Sequence, residues 1–438
     1  KYEANAQAVI LITRKFNKKE GFKTKLSETM AFKKAFNNYL GLNSSFKKNK
    51  LEWKVNFNYN QLQPWESHTI FYQIPNANII SDYDVSALTK RTQFIFGTGI
   101  FYKINDDDYL SFNIDGKFQN DAFDINTKTF NKKEETENNV LTFSDNDSEK
   151  NYANAFLNYS KKIKAIDAQL FTGFQYSDYK QNELALVENN FNENEFELSQ
   201  NRNQKFNVTV FSGRFDLEKK LKNDWTIEVG ALYLSAKGKS NIEISDFNEE
   251  KEITSHYNLN EKNIAGYTQL SGNIKDNKFL VGFRVENTDV TGKFKSESIP
   301  LINKNYVDFF PKLQYEIPID SLKTITFNYS KSIIRPNYSA TSQGSTYINP
   351  FFVYSRNINL DPTINNEIAT TFQYKNKSVR LSYYQNSNPV YSSFNYDNLS
   401  NILTFKEVNF DKESGFNLDF TLPFAYEFWS STNSLIFI

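Results

Sequence analysis

Alternating apolar and polar residues dominate the chain, most clearly in Leu51-Glu52-Trp53-Lys54-Val55-Asn56-Phe57-Asn58-Tyr59-Asn60. Successive side chains of an extended strand point to opposite faces. Leu51, Trp53, Val55, Phe57 and Tyr59 therefore share one face, and Glu52, Lys54, Asn56, Asn58 and Asn60 the other. The pattern returns at Leu110, Phe112, Ile114 and Phe118 against Ser111, Asn113, Asp115 and Lys117. It recurs at Ile325, Phe327 and Tyr329 against Thr326, Asn328 and Ser330, and at Val379, Leu381 and Tyr383 against Arg380 and Ser382. Tight polar turns separate such segments at Lys48 to Lys50, Asn105 to Asp108, Lys162 to Lys164, Lys222 to Asp224, Lys275 to Asn277, Pro318 to Ser321, Lys375 to Lys377 and Ala425 to Glu427. They recur at roughly 45 to 60 residues, one short turn plus two strands plus one long loop. Long polar stretches near residues 62–89, 121–149, 180–203, 239–260, 290–305, 336–364 and 388–409 read as those loops. Short turns at one end and long loops at the other are the pattern of an antiparallel outer-membrane β-barrel.

Counting in this way predicts about 17 strands, whereas bacterial single-chain barrels close with an even number. The final Ser434-Leu435-Ile436-Phe437-Ile438 alternates like the middle of a strand, so further strands are expected beyond Ile438. A soluble sandwich, solenoid or propeller would turn the same apolar faces into an ordinary core. No repeat of roughly 40 to 45 residues, as a propeller needs, and no shorter solenoid repeat is present. Strands of roughly 10 to 13 residues also suit a bilayer better than a globular core, where about 5 or 6 is usual.

Composition fits a wall with one greasy and one wet face. Aromatic residues make up 16% of the chain, with 41 Phe and 26 Tyr, yet all hydrophobic residues reach only 39%. Mean hydropathy is -0.61. The 51 basic and 51 acidic residues cancel, which gives no electrostatic footprint for nucleic acid. The absence of Cys excludes disulfides, thiolate metal sites and Cys nucleophiles. No apolar run approaches the roughly 18 to 20 residues of a transmembrane helix. The start, Lys1-Tyr2-Glu3-Ala4, has neither an initiator Met nor a signal-peptide pattern, so the sequence is expected to begin inside a longer precursor.

Several local patterns resemble the barrel of TonB-dependent receptors, outer-membrane proteins built from a plug inside a barrel. Lys1-Tyr2-Glu3-Ala4 followed by Ala8-Val9-Ile10-Leu11-Ile12 is similar to the end of the family's plug, with Ala6 in place of the usual Gly and Leu11 in place of Asn. Ala265-Gly266-Tyr267-Thr268-Gln269-Leu270-Ser271-Gly272, then Gly282-Phe283-Arg284-Val285-Glu286-Asn287-Thr288, resemble two adjacent family strands and form the strongest pair. Asp308-Phe309-Phe310-Pro311, Ser330-Lys331-Ser332-Ile333-Ile334-Arg335-Pro336 and Asn357-Ile358-Asn359-Leu360-Asp361-Pro362 follow in the family's order. In the last, Arg356, Ile358 and Thr363 replace the family's Gly, Pro and Glu. The resemblance implies a barrel of about 22 strands in the full protein. It assigns residues 1–15 to the end of a plug and the lead-in, and residues 16–438 to the transmembrane barrel. It also implies an outer-membrane location and coupling to a TonB energy complex through an N-terminal region. Lipid is the surrounding partner, and a surface lipoprotein or other envelope protein is a possible one.

Candidate contacts follow from these placements. Arg284 and Glu286 stand two apart on one strand, and the alternation of Phe279, Val281, Phe283 and Val285 puts them on the lumen face. They can touch plug or solute, or form a structural ion-pair network in the lumen wall. The stretch Tyr338 to Tyr354 carries Tyr347, Phe351, Phe352 and Tyr354 among Ser, Thr and Asn residues, and Trp65 and Tyr72 sit in another expected loop. Such rings suit sugars, siderophores or peptides, or else they pack the loop or join an aromatic girdle. Asp145-Asn146-Asp147-Ser148-Glu149 starts like a calcium loop but has Lys150 and Phe156 where Gly and Glu are needed, so a solvated acidic loop is expected. His68 and His256 lack ligand-like spacing, and no nucleophile or phosphate-binding motif occurs, so neither metal, cofactor nor enzyme activity is expected. The expected function is TonB-dependent uptake of a scarce solute. The alternatives are a structural or partner-binding barrel in a larger envelope complex, and a passive porin.

Overall fold

The computed structural model describes residues 20–32 and 34–437. The plug-like stretch at residues 1–15 lies outside the described residues. Apart from three single-turn segments, every regular element is a β-strand. In chain order these are β1 (Gly21–Phe32), β2 (Phe36–Lys48), β3 (Leu51–Leu62), β4 (Trp65–Ile74), β5 (Ile79–Lys103), β6 (Tyr109–Lys133), β7 (Thr136–Ile163) and β8 (Ala168–Phe191). There follow β9 (Glu197–Lys220), β10 (Thr226–Asp246), β11 (Lys251–Ile274), β12 (Asn277–Phe294), β13 (Ile302–Pro318), β14 (Lys323–Ile334), β15 (Ser345–Asn349) and β16 (Phe352–Ser355). The chain continues through β17 (Thr363–Tyr374), β18 (Lys377–Ser387), β19 (Val390–Asp397), β20 (Ile402–Asn409), β21 (Lys412–Tyr426) and β22 (Trp429–Phe437).

Strands β3 and β4 form one wall strand. Leu62 faces Arg91 and Trp65 faces Leu88 on β5, so the register runs unbroken across Gln63 and Pro64. Pro64 has no N–H to give the ladder, which interrupts the strand, but its carbonyl still accepts from the Thr89 N–H at 3.0 Å. With β3 and β4 joined, and the four-stranded sheet of β15, β16, β20 and β19 set aside, the 22 elements reduce to a wall of 17 strands. Each wall strand pairs antiparallel with its sequence neighbours, the up-and-down order of an outer-membrane barrel. Among the described residues β1 pairs only with β2, and β22 only with β21.

The eight expected tight turns fall within a few residues of the observed ones. Asn49, Lys275, Lys375 and Glu427 adopt left-handed backbone there, with φ of 51°, 58°, 53° and 49°. Asp320 caps its turn by accepting the N–H groups of Leu322 at 2.8 Å and Lys323 at 2.9 Å, which holds its carboxyl below the usual carboxylate range.

The opposite end departs from expectation. Residues 62–89, 121–149, 180–203 and 239–260 are not loops; they are the upper halves of paired strands. Polar composition misled because Asn, Asp and Ser are depleted in typical strands, whereas here the inward side chains are covered and the backbone stays in the ladder. On β5, Ile79, Ser81, Tyr83, Val85 and Ala87 alternate as buried residues. The Asp145 to Glu149 stretch is part of β7: Asn146 and Ser148 are buried, while the three carboxylates lie on the other face. No grouping suited to a metal ion occurs among the described residues.

This gives the wall unequal heights. Strands β5 to β11 have 21 to 28 residues, but β14, β17 and β18 have only 11 or 12. A strand of about 12 residues, tilted by about 45°, crosses roughly 28 Å, close to the hydrocarbon thickness of a bilayer. The tall side therefore stands well clear of the membrane. Of the seven expected loops, the one near 290–305 shrinks to residues 295–301 between β12 and β13, and the two long ones, between β14 and β17 and between β18 and β21, rise from the short side.

Candidate functional site: the capped mouth

Even-numbered residues of β12 face inward, which buries Arg284 and Glu286 at 1% and 2% exposure. The Arg284 Nε donates to Glu286 Oε1 at 2.6 Å, and Arg335 Nη2 donates to Glu286 Oε2 at the same distance. Asn263 Nδ2 adds bonds to Glu286 Oε2 at 3.2 Å and to Thr288 Oγ1 at 2.7 Å. Arg335 directly follows the last residue of the short side's β14 and precedes Pro336, so this network ties the root of the first long loop to β12. Both sequence readings of Arg284 and Glu286 assumed the lumen face, and that is where they lie. Their partners already occupy the carboxylate.

From that root the loop crosses to the tall side. Gln343 Nε2 donates to Ser255 Oγ on β11 at 2.6 Å. Gly344, at φ 151°, lets the backbone pass where a Cβ would meet Gln204 Oε1 at 3.0 Å. Ser345 then receives Arg202 from β9: Nη2 donates to Ser345 Oγ at 2.7 Å and also to the Ser345 carbonyl. The Arg202 guanidinium lies 5.0 Å from the centre of the Tyr347 ring. With Arg202 only 2% exposed, this is a buried clamp that inspection of the sequence missed. The inward parity of Arg202 becomes readable only once β9 is extended through the polar run Asn201-Arg202-Asn203-Gln204.

The second long loop docks on the first. β16 pairs parallel with β20, Phe352 opposite Leu403 and Tyr354 opposite Phe405, and β15 and β19 complete a four-stranded cap. The cap's inner face packs on the tall wall. Phe352, 1% exposed, stands 5.4 Å from Tyr83 and 6.4 Å from Tyr72, ring centre to ring centre. Burial pushes the Tyr83 phenol far above its ordinary range. At the loop roots, Asp361 pairs with Lys304, and its N–H donates to Asn409 Oδ1 at 2.7 Å.

The ring candidates thus separate. Tyr347, Phe352 and Tyr354 hold the cap together or to the wall, and Phe351 faces a cleft at the rim. Trp65 does not belong with them. It continues the outward series of Leu51, Trp53 and Phe57 across Pro64, is 44% exposed and carries the Lys34 ammonium 3.4 Å from its ring centre. Its expected place in a binding loop is corrected: it stands on the outer surface of the wall.

The sequence model of the outer membrane protein beta-barrel family matches residues 161–438. The chain belongs to that family. It is an outer-membrane β-barrel protein, and the resemblance to TonB-dependent receptor barrels is borne out in its fold. The copper transporter OprC superposes with a TM-score of 0.58 at 11% identity, covering 92% of this chain and 59% of that one. The Serratia marcescens hemophore receptor HasR, in complex with HasA and heme, gives 0.54 at 11% identity, with 93% and 62% covered. A Pseudomonas aeruginosa ferric enterobactin receptor mutant bound to enterobactin gives 0.53 at 11% identity, with 92% and 60% covered. The barrel therefore spans about three fifths of these chains. No curated protein matches its sequence.

Proposed function

We propose that this barrel is the transport wall of an energised outer-membrane receptor that captures a scarce solute at its mouth, with the two-loop cap as the part that covers it. The observation that carries the reading is the docking of loops from the short side onto the tall side, at buried Arg202 and Tyr83 and at half-buried Ser255. Such a cap can alternate between a docked and a free state. Transport needs the solute's affinity to differ between states, since equal binding to both moves no equilibrium. Arg284 and Glu286 anchor the loop root in this scheme, and solute contact falls to half-buried groups that line the rim cleft, such as Phe351. Energy enters through a TonB complex acting on a plug.

Genetic interaction tests the energised part. Cells lacking the gene should grow less well on at least one limiting solute from a panel of iron chelates, glycans and peptides. In cells already lacking TonB, the same deletion should add no further defect on that solute. An additive defect, or no defect on any member of the panel, refutes energised uptake and returns the barrel to a structural or partner-binding role.

A further inference from the structure

Between the tips of the β4–β5 and β6–β7 hairpins and the edge of the cap lies a cleft of about 260 Å³. Three rings line it: Tyr72 from the tall wall, and Phe351 and Tyr396 from the two cap loops. Three asparagines join them, Asn131 and Asn138 from the β6–β7 hairpin and Asn401 from the second loop. Asn401 is held by its oxygen, which accepts from the Tyr396 hydroxyl at 2.9 Å and from the Lys133 ammonium. Its NH₂ is left to donate. Asn131 is only 6% exposed, yet among the described residues its side-chain amide has no hydrogen-bond partner, and neither does that of Asn138.

Both amides open on the cleft, so a ligand seated there can take the place of the water that otherwise meets them. The chemistry of the cleft limits what that ligand can be. Each asparagine amide both donates and accepts, and so does each hydroxyl of a sugar. The rings offer flat apolar faces of the kind that cover a pyranose's C–H surface. The charges at the rim, Lys133 and Glu134, cancel, and the Lys133 ammonium is already engaged. Nothing there favours an anion. The volume falls just below the roughly 300 to 1,000 Å³ of drug-sized ligand sites, room for one ring of a longer chain.

We infer that this cleft seats one ring of a neutral saccharide. The inference rests on the mouth being the capture end of a receptor, and it names the chemical class held at its rim. The ring can come from a free glycan or from glycolipid of the outer leaflet.

Saturation-transfer NMR on the full-length protein in detergent, with maltose, cellobiose and chitobiose as probes, tests the seat. Transfer to the ring protons of at least one probe is expected. Asn131→Leu and Asn138→Leu should each weaken it about tenfold, with folding checked by the heat-dependent gel shift of the barrel. No transfer to any of the three, or transfer unchanged in both folded variants, overturns the inference. Displacement of the probe by purified lipopolysaccharide would mark the membrane as the ring's source, and lack of displacement a free glycan; either result sustains the seat. A TonB-dependent growth defect without saccharide binding sinks the sugar alone, while saccharide binding without that defect sinks energised uptake alone.

Discussion

Phe352→Ala is expected to release the cap while leaving the wall intact. Phe352 is 1% exposed and lies within ring-contact distance of Tyr83, Tyr72, Tyr354 and Phe394. Truncating a buried Phe removes its transfer free energy and leaves a cavity, together about 3 to 5 kcal/mol. Because β16 pairs with β20, both loops share the loss. Amide hydrogen exchange should accelerate roughly a hundredfold or more in residues 345–355 and 402–409, with β5 to β8 unchanged. Equal acceleration in wall and cap would show that Phe352 supports the barrel itself and not the docking of the cap.

Glu286→Ala should destabilise the folded barrel by about 3 to 5 kcal/mol, because Arg284 and Arg335 would keep their charges and lose their shared carboxylate. The contrast is Asp361→Ala, which breaks a pair whose side chains are 45% and 41% exposed and should cost about 0 to 1 kcal/mol in charge interaction. Exchanging the whole charge cluster for apolar residues, Arg284→Met, Glu286→Leu and Arg335→Met together with Glu261→Leu, whose carboxylate lies 3.9 Å from Arg335 Nε, should restore much of the stability, since the paired charges leave together. Urea midpoints read from the heat-dependent gel shift measure all three. If the Glu286 and Asp361 variants unfold at the same urea concentration, the buried network is not what holds the loop root.

The wall was legible in the sequence because membrane-level strands need strict alternation: Leu51 to Asn60 and Leu110 to Phe118 could be assigned a face at once. The upper strands were not, since their outward faces meet water and carry Asp145, Asp147 and Glu149 where lower strands carry Leu and Phe. Alternation continues there, but as Asn and Ser against Asp and Glu, and hydrophobic periodicity cannot detect it. Trp65 was misplaced for a related reason. Placing residues 62–89 in a loop discarded the parity that points Trp65 outward, although a proline can break a strand without breaking its register. The cap was hidden by range. β15 and β16 have five and four residues, and β16 finds its second partner in β20, about fifty residues on and parallel to it. Tyr347, Phe352 and Tyr354 could be seen as a cluster, but Arg202 and Tyr83, which decide where that cluster sits, lie more than a hundred residues earlier.

The most direct measurement is to lock the cap. These 438 residues contain no Cys, so Ser255→Cys with Gln343→Cys introduces the one cysteine pair in the barrel at a contact now made by a 2.6 Å hydrogen bond, and a short reducible thiol crosslinker can bridge it. In cells that depend on the full-length protein for a limiting solute, bridging should stop growth on that solute, and reduction should restore it. Growth of bridged cells equal to wild type would mean that the solute passes without the cap moving, and the cap would then be a fixed part of the wall.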